Sequence, residues 1–105
     1  MDLRANIESH IPEVFSSKPG LDVWNASAFA FHAAREMRER LARDGFTSVR
    51  GTVEVWPYDS ADTEHIDEAE QVVLTVQAAG HRPFSATLDF KTQVDFTGRQ
   101  VVVEI

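Results

Sequence analysis

The sequence predicts an α+β protein in which two N-terminal helices pack on one face of a four- to five-stranded antiparallel β-sheet. Apolar residues recur at helical spacing through residues 2–44 and then alternate with polar residues through residues 47–105. Helices followed by strands are typical of α+β folds. Short links between the strands predict a meander, since antiparallel neighbours can be joined by tight turns. A length of 105 residues predicts one domain, residues 1–105.

The first helix is predicted to begin after Asp2, because aspartate is a preferred N-cap residue. An apolar stripe follows it at helical spacing: Leu3, Ile7, Ile11, Val14 and Phe15. Pro12 interrupts this pattern, and a proline removes one backbone donor and clashes with the preceding turn. We therefore expect a kink, or two short helices that meet near His10.

The second helix is predicted to begin at a cap formed by Asn25 or Ser27 and to end before Gly45, which suits the left-handed position after a helix. Its apolar stripe consists of Ala30, Ala34, Met37 and Leu41. Glutamates precede arginines by four residues on the polar face, as in helical ion pairs. This face is therefore interpreted as solvated rather than as a nucleic-acid surface.

Four segments alternate between apolar and polar residues and are predicted as strands: 47–56, 71–79, 83–90 and the segment that ends at Ile105. Residues 93–96 form a fifth strand if they pair separately. Gly51 lies on the apolar side of the first strand and predicts a bulge or a bend. Apolar residues on both faces of Gln100–Ile105 are typical of a strand buried on both sides or of an edge. A homodimer through this strand is one expectation.

The net charge of −7 lies wholly in residues 51–105, which hold three of the ten basic residues and ten of the seventeen acidic ones. A negative field repels phosphate backbones and anionic membranes, so we expect no direct nucleic-acid binding and no membrane binding. It attracts a partner protein with a basic surface, although it also keeps a small protein soluble. The N-terminus has no apolar stretch typical of a secretion signal, which predicts a cytoplasmic location.

Catalytic signatures are absent from the sequence. The chain has no cysteine, its five glycines are too far apart for a nucleotide-binding loop, and no two of its four histidines have helical metal-ligand spacing. No cofactor and no metal site are predicted. The sequence thus favours a non-enzymatic protein.

The segment 59–70 is the most unusual part of the sequence, with six carboxylates, one histidine and no basic residue. Such a segment can be a solvated connection, a contact for arginines of a partner, or an oxygen-rich cation site. It lacks the spacing of a calcium-binding loop. Trp56 and Tyr58 precede it and are residue types enriched at interfaces, although Trp56 could instead pack beneath the acidic residues. The predicted protein-binding residues are Trp56, Tyr58, Asp59, Asp62, Glu64, Asp67 and Glu68.

Two functions follow. The first is a small acidic protein-binding module that acts as an inhibitor, an immunity-type protein or an adaptor, or that mimics the charge of a nucleic acid. The alternative is a cone-like domain that binds or converts a small ligand in a pocket between the second helix and a curved sheet. His32 would then be the acid or base, with Asp89 or Glu54 as its partner. The simpler interpretation of His32 is a boundary histidine that satisfies its own hydrogen bonds.

Overall fold

The computed structural model describes residues 2–15, 23–56, 71–89, 95–97 and 100–105 of the chain. The helices lie in the N-terminal half, and a four-stranded antiparallel sheet follows them, so the predicted α+β class is confirmed. The elements in chain order are α1 (Leu3–Val14), β1 (Val23–Asn25), α2 (Ala26–Arg43), β2 (Arg50–Trp56), β3 (Gln71–Gln77), β4 (Phe84–Asp89), β5 (Asp95–Thr97) and β6 (Val101–Glu104).

The main sheet has the strand order β4-β3-β2-β6. Strands β2, β3 and β4 follow one another in the chain and are also adjacent in the sheet, as in the predicted meander. The last strand departs from the meander, because β6 pairs with β2 and not with β4. Three hairpin-connected strands and a fourth beside the first form a Greek key. This position brings β6 against α2, where the Val103 side chain is buried.

The predicted fifth strand exists, but it lies outside the main sheet. β5 pairs in parallel with β1 in a separate two-stranded sheet, with Val23 opposite Asp95. Its observed bounds, Asp95–Thr97, are slightly later in the chain than the predicted 93–96.

Helix α1 is one continuous helix from Leu3 to Val14 and contains Pro12. Asp2 caps it as predicted, because its carboxylate accepts the backbone N–H of Arg4 at 3.0 Å. The expectation of two short helices is wrong. Pro12 lies two residues from the helix end, and the carbonyl left without its donor belongs to Glu8, which faces solvent. Water can therefore replace the missing hydrogen bond.

Helix α2 ends as predicted before Gly45, whose φ of 99° is the left-handed conformation that glycine adopts most easily. The Gly45 N–H donates to the Ala42 carbonyl, and the Phe46 N–H donates to the Leu41 carbonyl, both at 3.1 Å. This pair of bonds is a Schellman motif. Phe46 and Leu41 are both buried, so the end of the helix is also anchored by apolar packing.

The core lies between the helices and one face of the main sheet. Alternation buries Val53 and Val55 of β2 and three residues of β3, Val72, Leu74 and Val76. The bulge predicted at Gly51 is absent from the β2–β3 pairing, whose register is continuous from Arg50 opposite Gln77 to Trp56 opposite Gln71. Glycine is needed there for a different reason: a Cβ on Gly51 would lie 1.9 Å from the Thr75 carbonyl oxygen.

Candidate functional site

The candidate site lies on the face of the main sheet opposite the helices, called the open face below. Strand alternation places Thr52, Glu54 and Trp56 on this face, because Val53 and Val55 point into the core. The other open-face residues with described side chains are Arg50, Gln71, Val73, Thr75, Gln77, Ser85, Thr87, Val102 and Glu104.

Two large apolar side chains are exposed on the open face. Trp56 is 44% exposed and Val102 is 53% exposed. Both Val102 and Val73 lie directly opposite Glu54, on the two neighbouring strands. Trp56 is two residues from Glu54 on the same side of β2, within reach of these valines across the diagonal of the sheet. The four residues form a small apolar patch around one carboxylate, called the Trp56 patch below.

The carboxylate in the Trp56 patch is held in place. Gln100 donates from Nε2 to Oε1 of Glu54 at 2.6 Å. Glu54 makes no ion pair with any residue that the structure describes. Arg50 is on the same face four residues from Glu54 along β2, about 13 Å away at the rise of an extended strand. Among the residues that the structure describes, the patch therefore combines exposed apolar surface with a negative charge that has no basic partner.

The acidic segment is tethered at the Trp56 patch. Trp56 and Gln71 are the last Cα pair of the β2–β3 register, so the chain leaves this end of the sheet at Trp56 and returns to it at Gln71. Between them lie all the acidic residues of segment 59–70. Of the predicted binding residues, Trp56 alone is described; Tyr58, Asp59, Asp62, Glu64, Asp67 and Glu68 lie outside the described residues.

His32 lies on the flank of α2 and not on its sheet-facing stripe. It is half-buried in line with Glu36 and Arg40, one and two helical turns further on. On this flank Arg40 donates to Glu13 of α1 at 2.6 Å, and this bond raises the pKa of Arg40. Glu54 faces the other side of the sheet, so the suggested His32–Glu54 pair is wrong. The side chain of Asp89 lies outside the described residues.

A polar cluster joins the two helices where α2 ends. Asp44 Oδ2 lies 2.7 Å from His10 Nε2 and accepts a hydrogen bond from Asn6 Nδ2 at 3.1 Å. The contact with His10, followed by that with Asn6, lowers the pKa of Asp44. All three side chains are half-buried. Sequence reasoning missed this cluster, because no local pattern indicates which residue of α1 lies beside the end of α2.

The sequence also missed Val102 and Gln100 as parts of the site. Alternation along Gln100–Ile105 could have placed Val102 on the polar face, but valine there is equally typical of a strand covered on both sides. No three metal-ligating side chains converge within the described part of the chain. Neither described helix is apolar over a length sufficient to cross a membrane.

In comparisons with known proteins, no family model, curated protein or solved structure matches this chain.

Proposed function

We propose that this protein is a small non-enzymatic binding module that holds another protein, one with a basic surface, through the Trp56 patch and the acidic segment tethered beside it. Such a module acts as an inhibitor, an immunity-type protein or an adaptor. If the basic surface of the partner is a groove that binds nucleic acid, the module would act by mimicking the charge of the nucleic acid. The observation that carries the proposal is an exposed tryptophan beside a carboxylate, at the sheet end where the acidic segment begins and returns.

The Trp56 patch has the composition of a binding hot spot. Tryptophan is enriched among residues that dominate binding energy, because it buries a large area and its ring has few rotamers to lose. Here its diagonal neighbours on the adjacent strands are Val73 and Val102, and the surrounding side chains are threonines, a serine and glutamines. An apolar centre with a polar rim is the usual anatomy of a protein interface.

The charge of the same region selects the kind of partner. Glu54 and the six carboxylates of segment 59–70 are all connected to one end of the sheet. Arginines of a partner bind carboxylates in a planar, bidentate geometry, and long-range attraction raises the association rate. The proposed partner therefore presents arginine or lysine side chains around an apolar pocket that receives Trp56.

The first test is a capture experiment from a lysate of the source cells with matched aromatic variants. Trp56→Ala removes the proposed anchor. Phe31→Ala removes an aromatic ring that is 62% exposed on α2, away from the open face. We expect one stoichiometric protein with wild type and Phe31→Ala and its loss with Trp56→Ala. The affinity of the purified partner for Trp56→Ala should fall by a factor of about 30 or more, as for a hot-spot residue. Equal loss in both variants would contradict the proposal.

The second test separates specific carboxylate contacts from net charge. Asp67→Asn with Glu68→Gln neutralises two residues of the acidic segment, and Glu8→Gln with Glu39→Gln neutralises two exposed residues of the helices. Both double variants have the same net charge. We expect only the first to weaken binding of the purified partner and to reduce its dependence on salt. If both double variants behave alike, the acidic segment acts only through net charge, and the proposed contact is wrong.

A further inference from the structure

A second concave surface lies at the other end of the sheet from the Trp56 patch. Asp2, Leu3 and Arg4 at the start of α1 and residues 81–84 before and within β4 line a cleft of about 410 Å³. Phe84 pairs with Val76, near the end of β3 opposite to Gln71. This volume falls in the range of small-molecule sites.

The polar groups of this cleft are mainly basic, in a molecule with a net charge of −7. Arg4, His81 and Arg82 contribute two guanidinium groups and an imidazole. Arg82 is one of three basic residues in the acidic half of the chain, and it has no ion pair among the described residues. The one acidic group in the lining, Asp2, accepts the Arg4 N–H as the helix cap, so two guanidinium groups stand against one carboxylate. Two positively charged residues, Arg4 of α1 and Arg82 of the connection before β4, thus line one cleft.

Two of the basic groups are positioned by aromatic rings. The Arg4 guanidinium carbon lies 5.3 Å from the centroid of the Phe84 ring, a cation–π contact with a buried ring. The His81 ring meets the Phe46 ring edge-on at a centroid distance of 5.0 Å. The ion pair of Arg4 with Glu8 is exposed and 3.7 Å long, so it competes weakly for the guanidinium. Arg4 is therefore placed at the cleft and available to a ligand.

We propose that this cleft binds a small phosphate-bearing molecule. Guanidinium groups match the oxygens of a phosphate in a planar, bidentate geometry. A phosphomonoester has a charge between about −1.5 and −2 at neutral pH, so it uses two guanidinium groups where a carboxylate needs one. Pro83, which is exposed in the lining, supplies an apolar surface for an organic substituent. The net charge of the protein repels anions in general, so saturable anion binding requires a local basic site.

The test is an NMR titration of the backbone amides at constant ionic strength, with inorganic phosphate and with phenyl phosphate. We expect saturable shifts confined to Leu3, Arg4, His81, Arg82 and Phe84. Tighter binding of phenyl phosphate identifies an organic phosphomonoester as the ligand class, and equal affinities identify the phosphate group alone. Shifts that do not saturate, or that are spread over α2, would overturn the proposal.

Charge-matched variants test the assignment to the two arginines. Arg4→Gln and Arg82→Gln each remove one guanidinium group from the cleft, whereas Arg38→Gln removes an exposed one from α2. We expect each cleft variant to weaken phosphate binding at least five-fold and Arg38→Gln to leave it within a factor of two, since screening limits distant charges. Equal weakening in all three variants would show a general charge effect and refute the site. Failure here leaves the Trp56 proposal untouched, because the two sites share no residue.

Discussion

Asp44 connects α1 to the end of α2 through a single carboxylate that contacts two side chains. Hydrogen bonds from His10 and Asn6 stabilise its ionised form and lower its pKa from the ordinary value of 3.8. A carboxyl group with a lowered native pKa stabilises the fold fully above its unfolded pKa, and this stabilisation is lost as the pH falls through the native value.

The pH dependence of stability follows from the lowered pKa of Asp44. We expect Asp44→Asn to lower the unfolding free energy by about 1–2 kcal/mol at neutral pH, the scale of hydrogen bonds to a charged group. The difference from wild type should shrink below pH 3.8, the ordinary value for the carboxyl. Urea unfolding at several pH values measures it. A difference that is unchanged at strongly acid pH would show that Asp44 acts through packing and not through its charge.

Gly51 is a second residue at which the addition of a single carbon atom should change the stability of the fold. Gly51→Ala places a methyl group against the backbone of Thr75, at a positive φ of 155°. We expect a loss of about 1–3 kcal/mol, typical of overpacking, in denaturant unfolding. Gly80→Ala is the matched control, because Gly80 also has a positive φ but open space around it. A larger loss for Gly80→Ala would mean that backbone strain, and not the close approach, accounts for the effect.

At the scale of elements, α1 contains a destabilising residue that the fold tolerates. Pro12 removes one helical hydrogen bond, yet Leu3, Ile7 and Val14 are buried on both sides of it along the helix. Their burial outweighs the local cost. The low helix propensity of proline predicted an interruption at this position. Tertiary packing outweighed that propensity, as commonly happens.

Replacing this proline should stabilise the helix. Pro12→Ala restores a donor for the Glu8 carbonyl and removes the ring clash, with an expected gain of about 1–3 kcal/mol, less about 1 kcal/mol for the freer unfolded chain. Circular dichroism during thermal unfolding measures the change. A lower melting temperature would show that the proline ring makes contacts on which the fold depends.

The elements were predictable to different degrees. The helix stop before Gly45 depends on a local pattern, so the sequence was sufficient for it. Alternation placed Trp56 on the polar face of its strand but left open whether it is exposed or packs beneath the acidic residues. The position of β6 was not predictable, because alternation assigns Val101 and Val103 to a face without assigning β6 a neighbouring strand. The candidate site was equally hard to predict in full. Alternation along β2 places Trp56 on the open face, but its proximity to Val102 depends on the β2–β6 register, which the sequence does not indicate.

At the scale of the whole molecule, β6 is an edge of the described sheet. Ile105 donates to the Gly51 carbonyl at 2.9 Å, and hydrogen-bonded residues alternate along an antiparallel pair. Val102 and Glu104 therefore direct their N–H groups away from β2. Such an edge can pair with a second copy of the chain, although the charge of Glu104 opposes it.

We expect a homodimer through this edge. Val102→Pro removes an outward donor that the β2 pairing does not use, a position at which edge strands accept proline. Sedimentation at micromolar concentration should show wild type and Val102→Thr as dimers and Val102→Pro as a monomer. A monomeric wild type would contradict the prediction.

The Greek-key order of the main sheet has a consequence for folding kinetics. Residues 57–100 separate β2 from β6, whereas residues 78–83 separate β3 from β4. Closing the longer loop costs more entropy and is repaid only when β6 docks. The β3–β4 hairpin should therefore form before the rate-limiting barrier and β6 after it.

Stopped-flow chevron measurements separate the two strands. Val76→Ala in β3 should slow folding, and Val103→Ala in β6 should mainly speed unfolding. Slower folding in Val103→Ala would place β6 in the folding nucleus. If β6 docks after the barrier, as we expect, interactions that stabilise it slow unfolding and leave the folding rate unchanged. This strand would therefore control how long a folded molecule persists more than how fast it forms.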